Sequence, residues 1–265
     1  MKVCSFNIWS NAPRNARWPA RRDAVVAVLR SVAPDVAGLQ EATLPMVRDL
    51  HERLPGYQWV GVGRDDGREV GEFTPIFFRS ERFRVLQQSS FWLSAECEKP
   101  GRGWDAMHSR IVTWARFSDQ ESGRPFLFFN THLDHFGLRA RTHSAHLLRK
   151  KMSEIRAGDP AVLTGDFNCR ESSAPYRILT GKVPFAGTSV ASPEWRDTLY
   201  HTEHPREGPS RTFFGIMSLF GLARLDYILV NEGFRTLRHA VIESSTDTSD
   251  HRPVVAELAF ATDAP

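Results

Sequence analysis

The chain repeatedly places a polar or acidic residue at the end of a short apolar segment, and this repetition limits the folds that it can adopt. Residues 161–163 (Ala-Val-Leu) form one such segment, and Gly165, Asp166 and Asn168 follow it. The segment predicts a buried strand, and Asp166 and Asn168 can point the same way if the strand's alternation persists. A carboxylate beside a carboxamide at a strand end can activate a water and hold a phosphoryl oxygen. Taken alone, the segment is equally well explained as a strand followed by a turn.

Four other predicted strands carry the same kind of residue at or near an end. They are 2–8 with Asn7, 35–39 with Glu41, 125–131 with His132, and 253–260, which follows Asp250 and His251. A fifth predicted strand, 223–230, is centred on Asp226. Asp226 lies among apolar residues, where a carboxylate is costly to bury unless it is paired. A histidine is the natural partner, because the carboxylate fixes the ring tautomer and supports a charged imidazolium.

These polar residues point to a cation only as a set. A lone strand-end Asp or Asn is more often a turn former, and a lone His is more often packed or on the surface. Together they comprise one Glu, several Asp, two Asn and two His. Because oxygen ligands dominate, the set suits Mg²⁺ or Mn²⁺ rather than zinc.

The order of predicted elements favours two sheets. Trp18 opens a first helix that Pro34 stops, and further helices are predicted over 44–54, 138–157 and 173–180. Strands without helices are predicted at 57–63, 73–79, 82–88, 90–94 and 110–117, which indicates an antiparallel meander. An α/β (α+β) fold of two packed sheets with helices outside fits this mixture. With no repeat and no long linker, residues 1–265 are predicted to form a single domain.

Composition limits the binding partners and cellular compartments that can be expected for the chain. The net charge of +3 permits an anionic substrate, whereas a nucleic-acid partner usually leaves a clustered basic stripe. The cysteines at 4, 97 and 169 form no CxxC pair, so neither a zinc knuckle nor a disulfide framework is indicated. No apolar run approaches the ~20 residues of a membrane span, and the N-terminus lacks the apolar region of a signal peptide. We therefore expect a cytoplasmic protein.

Seven short motifs in a fixed order resemble the endonuclease/exonuclease/phosphatase superfamily, which has the DNase I-like fold. They are Phe6-Asn7-Ile8, Leu39-Gln40-Glu41, Ser109-Arg110, Asn130-Thr131-His132-Leu133, Gly165-Asp166-Phe167-Asn168, Leu225-Asp226-Tyr227 and Ser249-Asp250-His251. The resemblance implies a four-layer αββα sandwich of two mainly antiparallel or mixed sheets flanked by helices. Residues 91–94 and 130–135 are similar to those of a bacterial group of small metal-dependent hydrolases.

The resemblance also implies how a cation and an attacking water are held. Glu41 is the principal metal ligand, helped by Asn7 and Asp250. Asp166 orients or deprotonates the water. Trp9 stands where some abasic-site nucleases carry an acidic residue, so the resemblance gives little support to a second metal site there.

The remaining matched residues are implied to contact the phosphate. Asn168 binds the phosphoryl group, and His251 contacts the phosphate while Asp226 holds it. His132 faces the phosphate from the other side as a phosphate binder or general acid. Arg110 stands where DNase I has an arginine that would contact phosphate. The implied reaction is in-line attack of water on phosphorus, which gains most from positioning and positive charge.

The substrate depends on two loops. In loop 95–108, Arg102, Trp104 and His108 could wall a pocket, or the tryptophan could simply pack on the sheet. Loop 205–223 is unusually apolar from Thr212 to Gly221, so it could grip a ligand or form a buried Ω-loop.

We favour a phosphodiester or phosphomonoester of a small organic molecule as the substrate of a monomeric enzyme. The alternative is a nuclease acting on DNA or RNA, for which basic or aromatic insertions would be expected. A catalytically inactive binding module is disfavoured, because no motif position is broken.

Overall fold

The computed structural model describes residues 1–10, 17–183, 195–214, 224–245 and 247–261. Most of the apolar stretch predicted in loop 205–223 lies outside these residues, since 215–223 are not among them. Within the described ranges, no helix is both long and apolar enough to cross a membrane.

The first sheet has six strands and contains both chain ends of the described region. Its strands are β1 (Lys2–Asn7), β2 (Val36–Gln40), β4 (Tyr57–Val60), β6 (Ile76–Arg79), β13 (Phe234–Val241) and β14 (Val254–Phe260). The spatial order is β13-β14-β1-β2-β6-β4. The pair β1 and β2 is parallel, and the other neighbours are antiparallel.

The second sheet also has six strands and one parallel pair. Its strands are β7 (Phe83–Trp92), β8 (Ile111–Asp119), β9 (Pro125–His132), β10 (Ala161–Asp166), β11 (Arg196–Asp197) and β12 (Asp226–Val230). The spatial order is β11-β12-β10-β9-β8-β7, with β9 and β10 parallel. Two short strands, β3 (Ala42–Thr43) and β5 (Glu72–Phe73), form a small sheet of their own.

Within the described residues, four helices complete the layers. They are α1 (Trp18–Val32), α2 (Leu44–Arg53), α3 (Leu138–Arg156) and α4 (Ala174–Leu179). Pro19, Pro45 and Pro175 each stand in the first turn of a helix, where the missing N–H costs nothing. One apolar cluster joins α1 and α2 to the first sheet, a second lies between the sheets, and a third joins α3 and α4 to the second sheet. This arrangement confirms the predicted sandwich.

The predicted meander over 57–117 is wrong in its continuity, because β4 and β6 belong to the first sheet whereas β7 and β8 belong to the second. The segments predicted at 82–88 and 90–94 form one strand, β7, whose pairing with β8 shifts between Val85 and Gln87. The segment predicted at 73–79 is divided into β5 and β6 around Pro75, which cannot donate to a ladder. No strand was predicted for the residues that form β13.

The two sheets approach each other closely beneath the polar strand ends. A Cβ atom at Gly38 on β2 would lie 2.1 Å from Thr164 Oγ1 and 2.5 Å from Asn130 Oδ1 on the opposite sheet. Asn130 donates to the carbonyls of Leu39 and Pro75 and accepts from Gln40, so a polar bridge crosses the sandwich here. The glycine therefore brings the ends of β1 and β2 next to those of β9 and β10.

Candidate active site

The strand ends surround a cleft of about 500 Å³. Seven of the nine predicted site residues line it: Glu41, Arg110, His132, Asp166, Asn168, Asp250 and His251. The other two stand behind the lining. Asn7 donates to Glu41 and Asp166, and Asp226 accepts from His251. The structure therefore brings the whole predicted set together from both sheets.

Asp226 and His251 form a buried pair on one side of the cleft. Nδ1 of His251 lies 2.8 Å from Asp226 Oδ2, and Asp226 is fully buried at the start of β12. The backbone N–H of Asp226 donates to Thr212 Oγ1, and that of His251 donates to Ser249 Oγ. Burial alone would lower the pKa of His251, but the carboxylates of Asp226 and Asp166 raise it to about 10. The ring is therefore an imidazolium at neutral pH.

Asp166 lies at the centre of the cleft floor. Its Oδ1 accepts from the backbone N–H of Asn168 at 2.9 Å, and its Oδ2 accepts from Asn7 Nδ2 at 3.0 Å. The same Oδ2 lies 3.4 Å from Nε2 of His132 and 3.7 Å from Nε2 of His251. Burial raises the pKa of Asp166 to about 7, which places this carboxyl near the value of an effective base at neutral pH.

His132 is a neutral histidine at the cleft floor. Asn168 Nδ2 donates to the carbonyl of Leu133 at 3.0 Å and to His132 Nε2 at 2.8 Å. Nε2 of His132 is therefore an acceptor, and the ring proton is on Nδ1. Burial, followed by the charge of Arg110, lowers the pKa of His132 well below its usual value. As placed, its Nε2 accepts a hydrogen bond rather than donating one, so its role as phosphate binder or general acid stays a prediction.

Glu41 faces Asp166 from the first sheet. Its Oε1 accepts from Asn7 Nδ2 at 2.9 Å, and its Oε2 accepts from the backbone N–H of Ser10 at 3.0 Å. Glu41 has a φ of 58°, in the left-handed region that is strained for residues other than glycine. Carboxylate or imidazole atoms of Glu41, His132 and Asp166 all lie within 4.8 Å of one another.

These residues fit a divalent cation with hard oxygen ligands. Asp250 lines the cleft, and its Oδ1 is buried with no hydrogen-bond partner in the described part of the chain. Burial raises the pKa of Asp250 to about 6, and the nearby charge of Glu41 adds to this effect. A buried oxygen without a donor and two adjacent carboxyls form the environment that such an ion neutralises. Asn7 turns its amide nitrogen to the carboxylates, while its Oδ1 accepts from Trp9, so its role as a ligand requires the amide to turn.

Arg110 forms the opposite wall of the cleft. Its guanidinium is buried, with Nε 3.3 Å from Asp134 Oδ2 and Nη2 2.8 Å from His135 Nδ1. Nη1 has no hydrogen-bond partner among the described residues. Arg110 is therefore oriented by two neighbours, while its Nη1 is both unpaired and buried among the described residues.

Loops 95–108 and 205–223 each place one of the residues discussed above at the cleft. Of the three residues proposed to wall a pocket, His108 lines the cleft, but Trp104 stacks on His143 with ring centroids 4.8 Å apart. Arg102 is not among the cleft-lining residues. From loop 205–223, Phe213 lines the cleft and packs on the ring of His251.

Sequence reasoning missed several supporting residues. Ser10 Oγ donates to Glu72 Oε1 at 2.7 Å, and Glu72 is also paired with Arg64. Arg21 is fully buried and donates to the carbonyls of Ile8, Trp9 and Thr248. Neither Arg21 nor the group of Ser10, Glu72 and Arg64 belongs to a recognisable sequence motif. Only the unusual burial of an arginine on an amphipathic helix could have indicated Arg21, and burial is not visible in one sequence.

Comparisons with known proteins agree with this geometry. The model of the Endonuclease/Exonuclease/phosphatase family matches residues 4–251. A mannosyl-6-phosphatase of Bacteroides thetaiotaomicron is 33% identical, with a TM-score of 0.86 and coverage of 98% of this chain and 100% of that one. An endonuclease/exonuclease/phosphatase of Bacteroides vulgatus is 32% identical, with a TM-score of 0.89 and 98% coverage of both chains.

A curated relative outside the bacteria is more distant. Protein angel of Drosophila melanogaster is 26% identical over 238 residues, which cover 86% of this chain. The match spans 63% of that protein, less than two thirds of its length.

Proposed function

Because the chain belongs to the endonuclease/exonuclease/phosphatase family, we propose that it is a Mg²⁺- or Mn²⁺-dependent phosphoesterase. The proposed substrate is a phosphomonoester or phosphodiester of a small organic molecule. The observation that carries the proposal is the position of Asp166, within 3.7 Å of both His132 and His251 at the floor of the cleft.

In the proposed reaction, a water attacks phosphorus in line with the leaving oxygen. Asp166, whose pKa burial raises to about 7, accepts the proton of the water. The imidazolium of His251, held by Asp226, binds a phosphoryl oxygen through Nε2. Arg110 contributes its unpaired Nη1 to a second oxygen. Positive charge aimed at these oxygens stabilises the charge that spreads over them in the transition state.

Glu41 and Asp250 would hold the divalent cation, with Asn7 as the third candidate. When bound, the cation would supply positive charge at the phosphoryl group and at the departing oxygen. Asn168 contributes by fixing its neighbours, because it orients Asp166 through its backbone N–H and His132 through its side-chain amide.

One bacterial relative supports a small substrate. A protein named as a mannosyl-6-phosphatase is similar over essentially the whole chain. We therefore place a phosphorylated sugar first within the proposed class. The predicted monomeric state stays a prediction.

The test is a substrate panel assayed with Mg²⁺ or Mn²⁺ and again with EDTA. It comprises p-nitrophenyl phosphate, bis-p-nitrophenyl phosphate, hexose 6-phosphates, single- and double-stranded DNA, and RNA. We expect EDTA-sensitive hydrolysis of the small esters. Faster cleavage of DNA or RNA than of any small ester would favour the nuclease, and no hydrolysis of any substrate would refute the proposal.

A further inference from the structure

One wall of the cleft displays apolar side chains to solvent. Met107 and Phe136 are 49% and 64% exposed, although both also line the cleft. His108 and His135 lie between them, with their ring centroids 6.0 Å apart, and the rings of His135 and Phe136 are 4.3 Å apart. We call these four residues the rim. The reaction described above does not use them.

The rim is held rigidly although it is made of loops. Oδ1 of Asp134 accepts from the backbone N–H groups of Phe136 and Gly137, and its Oδ2 accepts from that of Met107. A single buried carboxylate therefore fixes both loops. Nearby, Asp105 accepts from the backbone N–H groups of Arg139 and Ala140 in the first turn of α3. Exposed apolar groups on a fixed backbone beside a catalytic cleft are typical of a binding surface.

The hydrogen bond from Arg110 defines which atom the rim offers to a ligand. A guanidinium can only donate, so Nδ1 of His135 is the acceptor in the 2.8 Å contact. A neutral His135 ring therefore carries its proton on Nε2. Burial and the charge of Arg110 both lower the pKa of His135, which keeps the ring neutral at pH 7. The rim thus combines an apolar face with a neutral donor and gives little attraction for a second phosphate.

We propose that the rim binds the alcohol part of the substrate, and that this part is a polyhydroxylated ring. This inference rests on the proposed phosphoesterase function. The apolar C–H face of the ring packs on Phe136 and Met107, and a hydroxyl oxygen accepts from Nε2 of His135. A nucleobase is a poorer match, because the rim carries no free amide or carboxylate to bind its edge. The carboxylate oxygens of Asp134 are already occupied by backbone donors and Arg110.

The experiment compares substrates with and without a ring. KM and kcat are measured for a hexose 6-phosphate, for ethyl phosphate and for a nucleoside 5′-monophosphate, with Mg²⁺ present. In the variant combining Phe136→Ala and Met107→Ala, we expect KM for the hexose phosphate to rise about tenfold, with kcat within about twofold. For ethyl phosphate, both constants should stay within about twofold of wild type. Phe136→Tyr, which keeps the ring face, should retain the wild-type KM.

Leu86→Ala is the matched control, because Leu86 is 44% exposed on β7 and does not line the cleft. An unchanged KM for the hexose phosphate in the double variant would overturn the inference, as would an equal loss with ethyl phosphate. A larger loss for the nucleotide than for the hexose phosphate would reassign the rim to a base. If wild type hydrolyses none of the esters, the proposed function fails as well, whereas hydrolysis without discrimination refutes the rim alone.

Discussion

The carboxylate of Asp226 lies 2.8 Å from Nδ1 of His251 and holds the histidine as an imidazolium facing Asp166. In Asp226→Asn this negative charge is removed, so we expect the pKa of His251 to fall from its value of about 10. The ring of His251 would then lose its positive charge as pH rises through the lower pKa. We predict a loss of about 10² in kcat at pH 8 and a smaller loss at pH 6.

A pH–rate profile of Asp226→Asn, paired with an NMR titration of His251, measures both effects. Wild type should keep the histidine charged across the whole range from pH 6 to 9. A variant profile parallel to that of wild type would show that the pair has only a structural role.

Asp166→Asn removes the proposed base and keeps its shape. The amide can still contact Asn7, but it cannot accept the proton of the attacking water. We expect kcat to fall by about 10² or more while KM changes little. Single-turnover measurements on the folded variant check this prediction. Near-normal turnover would exclude Asp166 as the base.

Cation binding should release protons in the neutral range. Burial raises the pKa of Asp166 to about 7 and that of Asp250 to about 6, so both carboxyls retain protons in the metal-free protein near these values. A cation competes with those protons, and its affinity should therefore rise as pH increases from 5.5 to 7.5. Calorimetric titration with Mn²⁺ in buffers of different ionisation enthalpy measures the protons released.

The variant Asp250→Asn provides the comparison. It should bind Mn²⁺ more weakly and release fewer protons than wild type at pH 6. Equal proton release by the two proteins would place the cation away from Asp250.

The predictable parts of the molecule are those that depend on local pattern. A carboxylate inside an apolar strand predicts a buried partner for Asp226, and the family resemblance implied that this partner is His251. The layered fold followed from apolar periodicity together with seven ordered motifs. Glu41 and Asp166 were found because both lie at strand ends, and each parallel pair brings one of them beside a further polar strand end, Asn7 or His132.

The unpredictable parts depend on partners that are distant in sequence. Strand β7 continues through a bulge that no periodicity marks, and the chain changes sheets between β6 and β7 without a recognisable signal. Glu72 lines the cleft and accepts a hydrogen bond from Ser10, which is 62 positions away in the sequence. The tautomer of His132 depends on the amide of Asn168, which no strand pattern reveals.

Arg21 holds the backbone beside the proposed metal ligands by donating hydrogen bonds to three carbonyl groups. Its Nη1 donates to the carbonyls of Ile8 at 2.9 Å and Thr248 at 2.6 Å, and its Nη2 donates to that of Trp9. These carbonyls belong to the two segments that carry Asn7 and Asp250. In Arg21→Met, three buried acceptors lose their donors, so we expect cation affinity to fall by about tenfold or more. At saturating cation, kcat should fall much less.

Activity titrated with Mg²⁺ measures the change, and Arg30→Met on the same helix is the control. Arg30 is exposed and donates to the carbonyl of Arg53, away from the cleft. If both variants show the same Mg²⁺ dependence, Arg21 has no effect on the cation site.

His239 should make the protein less stable in mild acid. Its side chain is buried on β13, where Nδ1 contacts Thr198 Oγ1 at 2.9 Å and Nε2 has no partner in the described ranges. Burial, followed by the charge of Arg224, lowers the pKa of His239 from 6.5 to about 4. The folded protein therefore resists a proton that the unfolded chain accepts below pH 6.5. The contribution of neutral His239 to the free energy of unfolding is complete above pH 6.5. It is lost progressively as pH falls toward 4, by about 3 kcal/mol in total.

Urea unfolding of wild type and His239→Gln at pH 7.5 and 4.5 tests this sign. The glutamine side chain does not titrate, and the other ionisable groups are common to both proteins. We expect the free energy of unfolding of wild type to fall by about 2 kcal/mol more than that of the variant between the two pH values. An equal fall in both proteins would mean that His239 takes up its proton in the folded state.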